Sequence, residues 1–564
     1  MKRLVAVIAA LVLALSGCTA IATSGPVEQV PLEAQPRGID VAPEPPSADM
    51  TPSRLVEGFL QAMADPEGGY AIARMYMTSE AAAQWEPEDA LVFDGSVVGG
   101  EGSAAVTGMT IGRLGSDNRY TPELEEFTHD FGLVEQQGQW RISNPPRGLL
   151  LSRYNFERYY SRVTLYFMSR VGAHVVPDPI HLPEALLTPS NVLEALFDGP
   201  TPTLSRSVVN AVPRDVHLGE GGATIDQSGV VTADLAGLPE DMADSQLRNL
   251  GAQLLWTLTS VPRVSGLVVT RDDGRPLSIP GESANGVLEL ATQQGYQVLS
   301  RAAATDLYGV RDGRVGRVTG PDQFVVPHGA PGPASDVAVS VDGASIALIN
   351  EQRTELSIGG LNSALAKVDI PLANLRSPQF VLGMLWVMGN DATGTPRLAT
   401  VDRNGGVQLV AADVGSGRIR DFSVSPSRAR IIIIADVGGE PTLGIATLLG
   451  SSPVSVSRWQ PIEIISPDGV PLTDPVSPTW QAETSIAVAA TGTGVRSVFT
   501  SLLDGSVVED LGTVNGEIVD VTSNVRLGGG PIAVTTSSGL SWRYEARTRW
   551  SRLTDGVTAL AYPG

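Results

Sequence analysis

Beyond about Val287 the chain loses helical periodicity and becomes a succession of short β-rich runs separated by Gly, Asp, Ser and Pro. These runs repeat. Val339-Ser340-Val341-Asp342-Gly343 precedes a strand-like run at 345–349, Ser423-Val424-Ser425-Pro426 precedes one at 431–435, and Ser477-Pro478-Thr479-Trp480 precedes one at 485–490. Ser377-Pro378-Gln379-Phe380 and Val521-Thr522-Ser523 occupy comparable positions between them. A period of roughly 40 to 50 residues is that of a propeller blade, in which each four-stranded unit buries its faces only against its neighbours. Asn404-Gly405 and Asp504-Gly505 supply hairpin turns inside the repeats. Residues 287–564 therefore predict an all-β propeller of about six blades. Ala559-Leu560-Ala561-Tyr562 is expected to pair into the first blade and close the ring; the competing architecture is a pair of β-sandwiches.

The whole chain has 564 residues, more than one core can serve, so further domains must precede the propeller. Thr51-Pro52 is a threonine N-cap with proline at the first helical position. Leu55, Phe59, Leu60 and Met63 then share a helix face, and a second helical stretch carries Tyr70, Ala73, Arg74 and Tyr76. A hairpin follows, with Phe131, Leu133 and Val134 before a turn at Gln137-Gly138 and Trp140 and Ile142 after it. Helices first and sheet afterwards make residues 51–148 resemble a small nuclear-transport-factor-like α+β domain, ending at Pro145-Pro146.

Residues 160–280 predict a second α+β domain. It opens with a strand at 163–167 and a helix carrying Leu193-Glu194-Ala195-Leu196, stopped by Gly199-Pro200. Strands at 223–226 and 230–235, a helix at 253–258 and a strand at 265–270 complete it. The order of the two helices, each followed by strands, resembles a GerMN domain of cell-envelope proteins.

The amino terminus predicts export. Lys2 and Arg3 precede an uninterrupted apolar run at 4–15, shorter than the ~20 residues a spanning helix needs and typical of a signal-peptide core. It ends at Leu15-Ser16-Gly17-Cys18, a lipobox, which makes 1–17 the signal peptide and Cys18 the lipidated residue, N-acylated and carrying S-diacylglycerol. Cys18 is the one cysteine in the chain; a sequence otherwise free of thiols suits an oxidising location outside the cell. Two acyl chains, at about 0.8 kcal/mol per buried CH₂, make a stable anchor. Residues 18–50, rich in proline, read as an extended tether. A net charge of −22 repels phosphate backbones and anionic headgroups, which argues against a nucleic-acid partner. Only Lys2 and Lys367 are lysines among 39 basic residues, the bias of a GC-rich, actinobacterial kind of genome.

Lipobox, tether, α+β segment, GerMN-like domain and terminal propeller occur in that order in the actinobacterial LpqB lipoprotein family. The chain is similar to that family over essentially its whole length, including Ser24-Gly25-Pro26-Val27 just after Cys18, the GerMN motifs and Ser477-Pro478-Thr479-Trp480. The resemblance implies a membrane-anchored accessory on the extracytoplasmic face. Its implied partner is the extracellular domain of an MtrB-like sensor kinase in an MtrA–MtrB two-component system, with effects on envelope and division control. No contact motif carries over residue by residue.

Catalytic, cofactor and metal motifs are not evident. The histidines, His129, His174, His181, His217 and His328, match no zinc spacing and read as loop or surface residues. Asp272-Asp273 and Glu125-Glu126 read as solvated acids, and Ser466-Pro467-Asp468-Gly469 as a turn. The expectation is a binding protein, not an enzyme, with no cofactor. A cell-wall glycan or muropeptide binder is the alternative, for which exposed tryptophans among Trp386, Trp459, Trp480, Trp542 and Trp550 would be the sign; core packing is the expectation for them. A propeller hydrolase or lyase would need converging acids or histidines.

Overall fold

A computed structural model describes residues 43–564 apart from 294, 300–305, 328–331, 361–362 and 527. The signal peptide, Cys18, most of the tether and His328 lie outside the described residues. Glu44–Gly564 form one compact unit.

The Thr51 side chain accepts from the Arg54 backbone N–H and starts helix α1 (Pro52–Ala62), which buries Leu55, Val56, Phe59 and Leu60. Helices α2 (Glu67–Met75) and α3 (Ser79–Gln84) follow. The long hairpin Ala90–Gly100 and Ser103–Leu114 then forms the centre of a sheet, with Leu149–Ser152 parallel to its first strand. Phe59 is fully buried and meets Phe131 edge-on at 6.0 Å between ring centroids. Truncating such a side chain to alanine costs about 3–5 kcal/mol, so the helix and the predicted hairpin are energetically one unit. The domain does not stop at 148. Leu149, Leu150 and Leu151 are buried in its sheet, and α4 (Arg153–Tyr159) adds Phe156 to its core.

In the second domain, Tyr160–Ser169 pairs antiparallel with Val175–Pro183. Helix α5 (Pro189–Phe197), capped by Thr188, is followed by Gly199 at φ 90°, a conformation glycine adopts without penalty. A second sheet runs in the order His217–Ile225, Val230–Ala236, Gly266–Arg271 and Leu288–Glu289. Helix α6 (Asp244–Leu258) connects the two parallel strands and buries Leu250, Leu254, Leu255 and Leu258. Leu288–Glu289 belongs to this sheet, and Val298 bridges to Val175. The predicted boundary at 287 therefore moves toward the first propeller strand at Leu307.

The remainder is a six-bladed propeller. Blades 2, 3, 5 and 6 each run outward from Ala334–Val339, Ala373–Val381, Thr473–Ala482 and Ile518–Ser523 as four consecutive antiparallel strands. Blade 4 starts at Arg418–Val424, and the short strand Ser455–Val456 joins it to the edge of blade 3. In blade 1 the inner strand is Val557–Ala561, hydrogen-bonded to Leu307–Arg311 from the start of the ring. The Gly564 N–H donates to the Val339 carbonyl at 2.9 Å, tying the end of that strand to blade 2. Among the described residues, no helix is long and apolar enough to cross a membrane.

Candidate functional site

The six inner strands surround an axial cavity of about 490 Å³. Three of them carry an aspartate at an irregularity in the strand pairing. Asp336 lies in blade 2, Asp421 in blade 4 and Asp520 in blade 6, so the carboxylates alternate around the axis. Blades 3 and 5 fill the intervals with Ser377-Pro378 and Ser477-Pro478. Both serines take left-handed backbone angles, φ 51° and 47°, which a residue with a side chain adopts only at a cost. The geometry turns each hydroxyl toward the next blade. Ser377 Oγ donates to Asp421 Oδ1 at 2.8 Å, and Ser477 Oγ donates to Asp520 Oδ1 at 2.7 Å.

Loss of hydration pushes the Asp421 carboxyl up to about 6 against the lowering effect of the Ser377 and Phe422 donors, and Asp520 adds to the rise. Asp520 is raised for the same leading reason, with Asp336 contributing. Arg353, Arg376 and Arg420 line the same space. Burial lowers the Arg376 guanidinium, offset in part by Asp421 and reinforced by Arg353. Arg353 lies 3.6 Å from Asp336, whereas Arg376 donates to the Asn374 carbonyl at 3.0 Å and to Asn390 Oδ1 at 3.4 Å.

A second concentration of charge holds the three domains together. Strand Val175–Pro183 of the middle domain is almost wholly buried, with Asp178 at its centre. Asp178 lies 3.5 Å from Arg119 of the first domain and 3.6 Å from Arg430 of blade 4, and accepts from the Thr201 N–H at 2.8 Å. Arg430 also donates to the Pro177 carbonyl at 2.8 Å. Glu483 of blade 5 accepts from the backbone and hydroxyl of Ser427, and burial pushes its carboxyl up. Three residues further along the strand, His181 Nε2 lies 2.9 Å from Asp504 Oδ2 of blade 5, with its ring against Phe156 and Tyr120. Burial alone would raise Asp504, but the His181 and Ser506 hydrogen bonds hold it below the ordinary carboxylate range.

The surface reading of the histidines is thus wrong for two of them. His181 and His174, whose ring meets the Ser427 carbonyl at 3.3 Å, are buried between domains. His129 is half-buried and His217 exposed. Asp272, Asp273, Glu125 and Glu126 are all exposed, and Asp273 pairs with Arg275. Ser466 accepts from the Gly469 N–H in the expected turn. All eight tryptophans are described and none is exposed. Trp480 donates to the Ser423 carbonyl of blade 4 at 3.0 Å, and Trp386 is fully buried. Among the described residues, no three His, Cys, Asp or Glu side chains are grouped to hold a metal ion.

Sequence reasoning missed the axial aspartates, although each stands four residues ahead of a repeat polar residue, Ser340, Ser425 or Asn524. It read Asp504-Gly505 as a hairpin turn only. That turn forms, Leu502 accepting from the Gly505 N–H, and it also docks the propeller on the other two domains.

Comparison with known proteins follows the same division. The family model described as "Lipoprotein LpqB, N-terminal domain" matches residues 45–157, "Sporulation and spore germination" matches 164–278, and "Lipoprotein LpqB beta-propeller domain" matches 306–563. The chain is 30% identical to lipoprotein LpqB of Cutibacterium acnes over 99% of its own length and 98% of the relative. It is 25% identical to that of Streptomyces coelicolor over 100% and 98%. Among solved structures, TolB from Acinetobacter baumannii aligns with 58% of the chain and 88% of its own at a TM-score of 0.31 and 13% identity. Near-full-length identity at this level, with all three parts matched in order, means that the chain belongs to the lipoprotein LpqB family.

Proposed function

We propose that this protein is an extracytoplasmic lipoprotein, held at the membrane by acyl chains on Cys18, that acts by binding and not by catalysis. Its target is the extracellular domain of an MtrB-like sensor kinase, and its effect is to modulate that kinase's control of envelope growth and division. The partner is what membership of the family implies. The observation that carries the binding role is the buried Arg119–Asp178–Arg430 and His181–Asp504 contacts. They fix three domains in one mutual orientation, and a preorganised surface loses less freedom on association than domains free to move. Such a body on a proline-rich tether suits contact with a membrane receptor.

Calorimetric titration of the protein lacking residues 1–24 with the kinase's extracellular domain tests this reading. Saturable binding, abolished when the interdomain contacts are broken, supports it. No binding at high concentration removes the kinase as direct partner.

A further inference from the structure

We infer that the axial cavity of the propeller is a binding site for a short zwitterionic peptide, its ammonium received by Asp421 and Asp520 and its carboxylate by Arg376. The inference does not depend on the kinase reading.

Six charged side chains line the cavity: Asp336, Asp421 and Asp520, and Arg353, Arg376 and Arg420. These side chains carry both signs equally in a chain whose net charge is −22, so the cavity lining differs from the acidic surface. Their pairing within the protein is incomplete. Asp336 has Arg353 nearby, and Arg420 turns toward Asp436 at 3.4 Å, away from the axial acids. Asp421 receives the Ser377 hydroxyl and the Phe422 N–H through Oδ1, Asp520 receives the Ser477 hydroxyl through Oδ1, and Arg376 donates to neutral oxygens. Among the described residues none of these three forms an ion pair. Asp421 and Arg376 compensate each other only in part, at a distance beyond an ion pair, and charges withdrawn from bulk water without full compensation are costly. A ligand bearing both signs would relieve both ends.

Two further features point to an occupant. Ser523 lines the cavity, is 3% exposed, and its hydroxyl has no hydrogen-bond partner among the described residues. Buried hydroxyls are ordinarily paired, and an unpaired one marks a place where a partner is missing. The serines of blades 3 and 5 also hold strained backbone to fix the carboxylates of the adjacent blades, and strain of this kind concentrates at ligand sites. The volume of about 490 Å³ falls within the range of about 300–1,000 Å³ usual for small-molecule pockets. It suits a few amino-acid residues with free termini, not a polymer.

The test is titration of the full-length protein, in detergent micelles, with trialanine, N-acetyl-trialanine and trialanine amide. Trialanine is expected to bind saturably. Blocking either end should weaken binding about tenfold or more, the effect of losing one charge-assisted contact. Asp421→Asn and Asp520→Asn should weaken trialanine similarly and leave the residual affinity indifferent to N-acetylation. Arg376→Gln should make it indifferent to C-terminal amidation. Melting temperatures at pH 7 that do not fall in the two asparagine variants exclude misfolding as the cause. Absence of saturable heat with trialanine, or equal affinity for all three peptides, overturns the proposal. The kinase is absent from the titration, so its outcome is separate from that of the partner experiment.

Discussion

Arg430, on the second strand of blade 4, places Nη2 3.6 Å from Asp178 of the middle domain, and the two side chains are only 7% and 4% exposed. The contact joins residues 430 − 178 = 252 positions apart. Arg119 of the first domain reaches the same carboxylate. One aspartate thus serves all three domains. Removing one partner of a buried ion pair is more damaging than never having had the pair, because the survivors keep their charge and lose their counterion. Asp178→Ala leaves the buried Arg430 guanidinium without its ion-pair partner, while Arg119 keeps Asp117 at 2.9 Å, and should lower stability by about 3–5 kcal/mol in denaturant unfolding. A loss below about 1 kcal/mol would place the pair among contacts of surface strength. Limited proteolysis should show in parallel that the domains separate before the propeller unfolds.

The axial carboxylates set a pH dependence of unusual sign. An unfolded aspartate titrates near 3.8, whereas folded Asp421 does so near 6. Between these values the native state holds a proton that the unfolded state has released, so stability falls as pH rises through the window and is flat above it. Asp520 acts in the same direction. Asp421→Asn keeps an acceptor for Ser377 and removes the penalty. Thermal melts should therefore lose part of the decline between about pH 4 and pH 6, with the variant at least as stable as the parent at pH 7. Asp504 works oppositely: its folded pKa is depressed, so its contribution is present at neutral pH and disappears as pH falls through the ordinary carboxylate range and below.

Gly505 has φ 74°, and a Cβ built there would lie 2.5 Å from Cγ of Pro122 in the first domain. Gly505→Ala should cost about 1–2 kcal/mol from the left-handed backbone alone, with the clash in addition. Gly394 also has positive φ, 80°, but a Cβ there meets nothing within 4 Å. Gly394→Ala should show the backbone cost alone, and the difference in unfolding free energy between the two variants measures the docking contact.

On the proposal that acyl chains on Cys18 are the anchor, Cys18→Ala should move the protein from the membrane fraction to a soluble fraction, since the acidic chain has little attraction for anionic lipid. Membrane retention of the variant after cell fractionation would require another anchor.

Local signals made much of this fold legible. Thr51-Pro52 and Thr188-Pro189 cap helices where an N-cap and a first-turn proline demand one. The repeat of Ser-Pro and Ser-Val motifs gave the blade period, because each blade solves the same packing problem. Strand Val175–Pro183 was opaque for the opposite reason. With prolines at 177, 179 and 183 and histidines on either side of Asp178 it reads as an exposed loop. Its burial comes from blades more than two hundred residues away, which no local pattern encodes. The boundaries near 148 and 287 moved for a related reason. Leu149–Ser152 and Leu288–Glu289 are short strands that complete sheets begun far upstream.

The inner strand of blade 1 sets a schedule for the chain's maturation. Val557–Ala561 pairs with Leu307–Arg311, spanning 557 − 311 = 246 residues. Until those last residues are available, Leu307–Arg311 has a bare flank and the ring remains open, however well the other blades have formed. Long-range closure of this kind is slow. The propeller therefore locks as a ring only in the step that brings Val557–Ala561 onto Leu307–Arg311, and the lifetime of the open form is set by that one pairing.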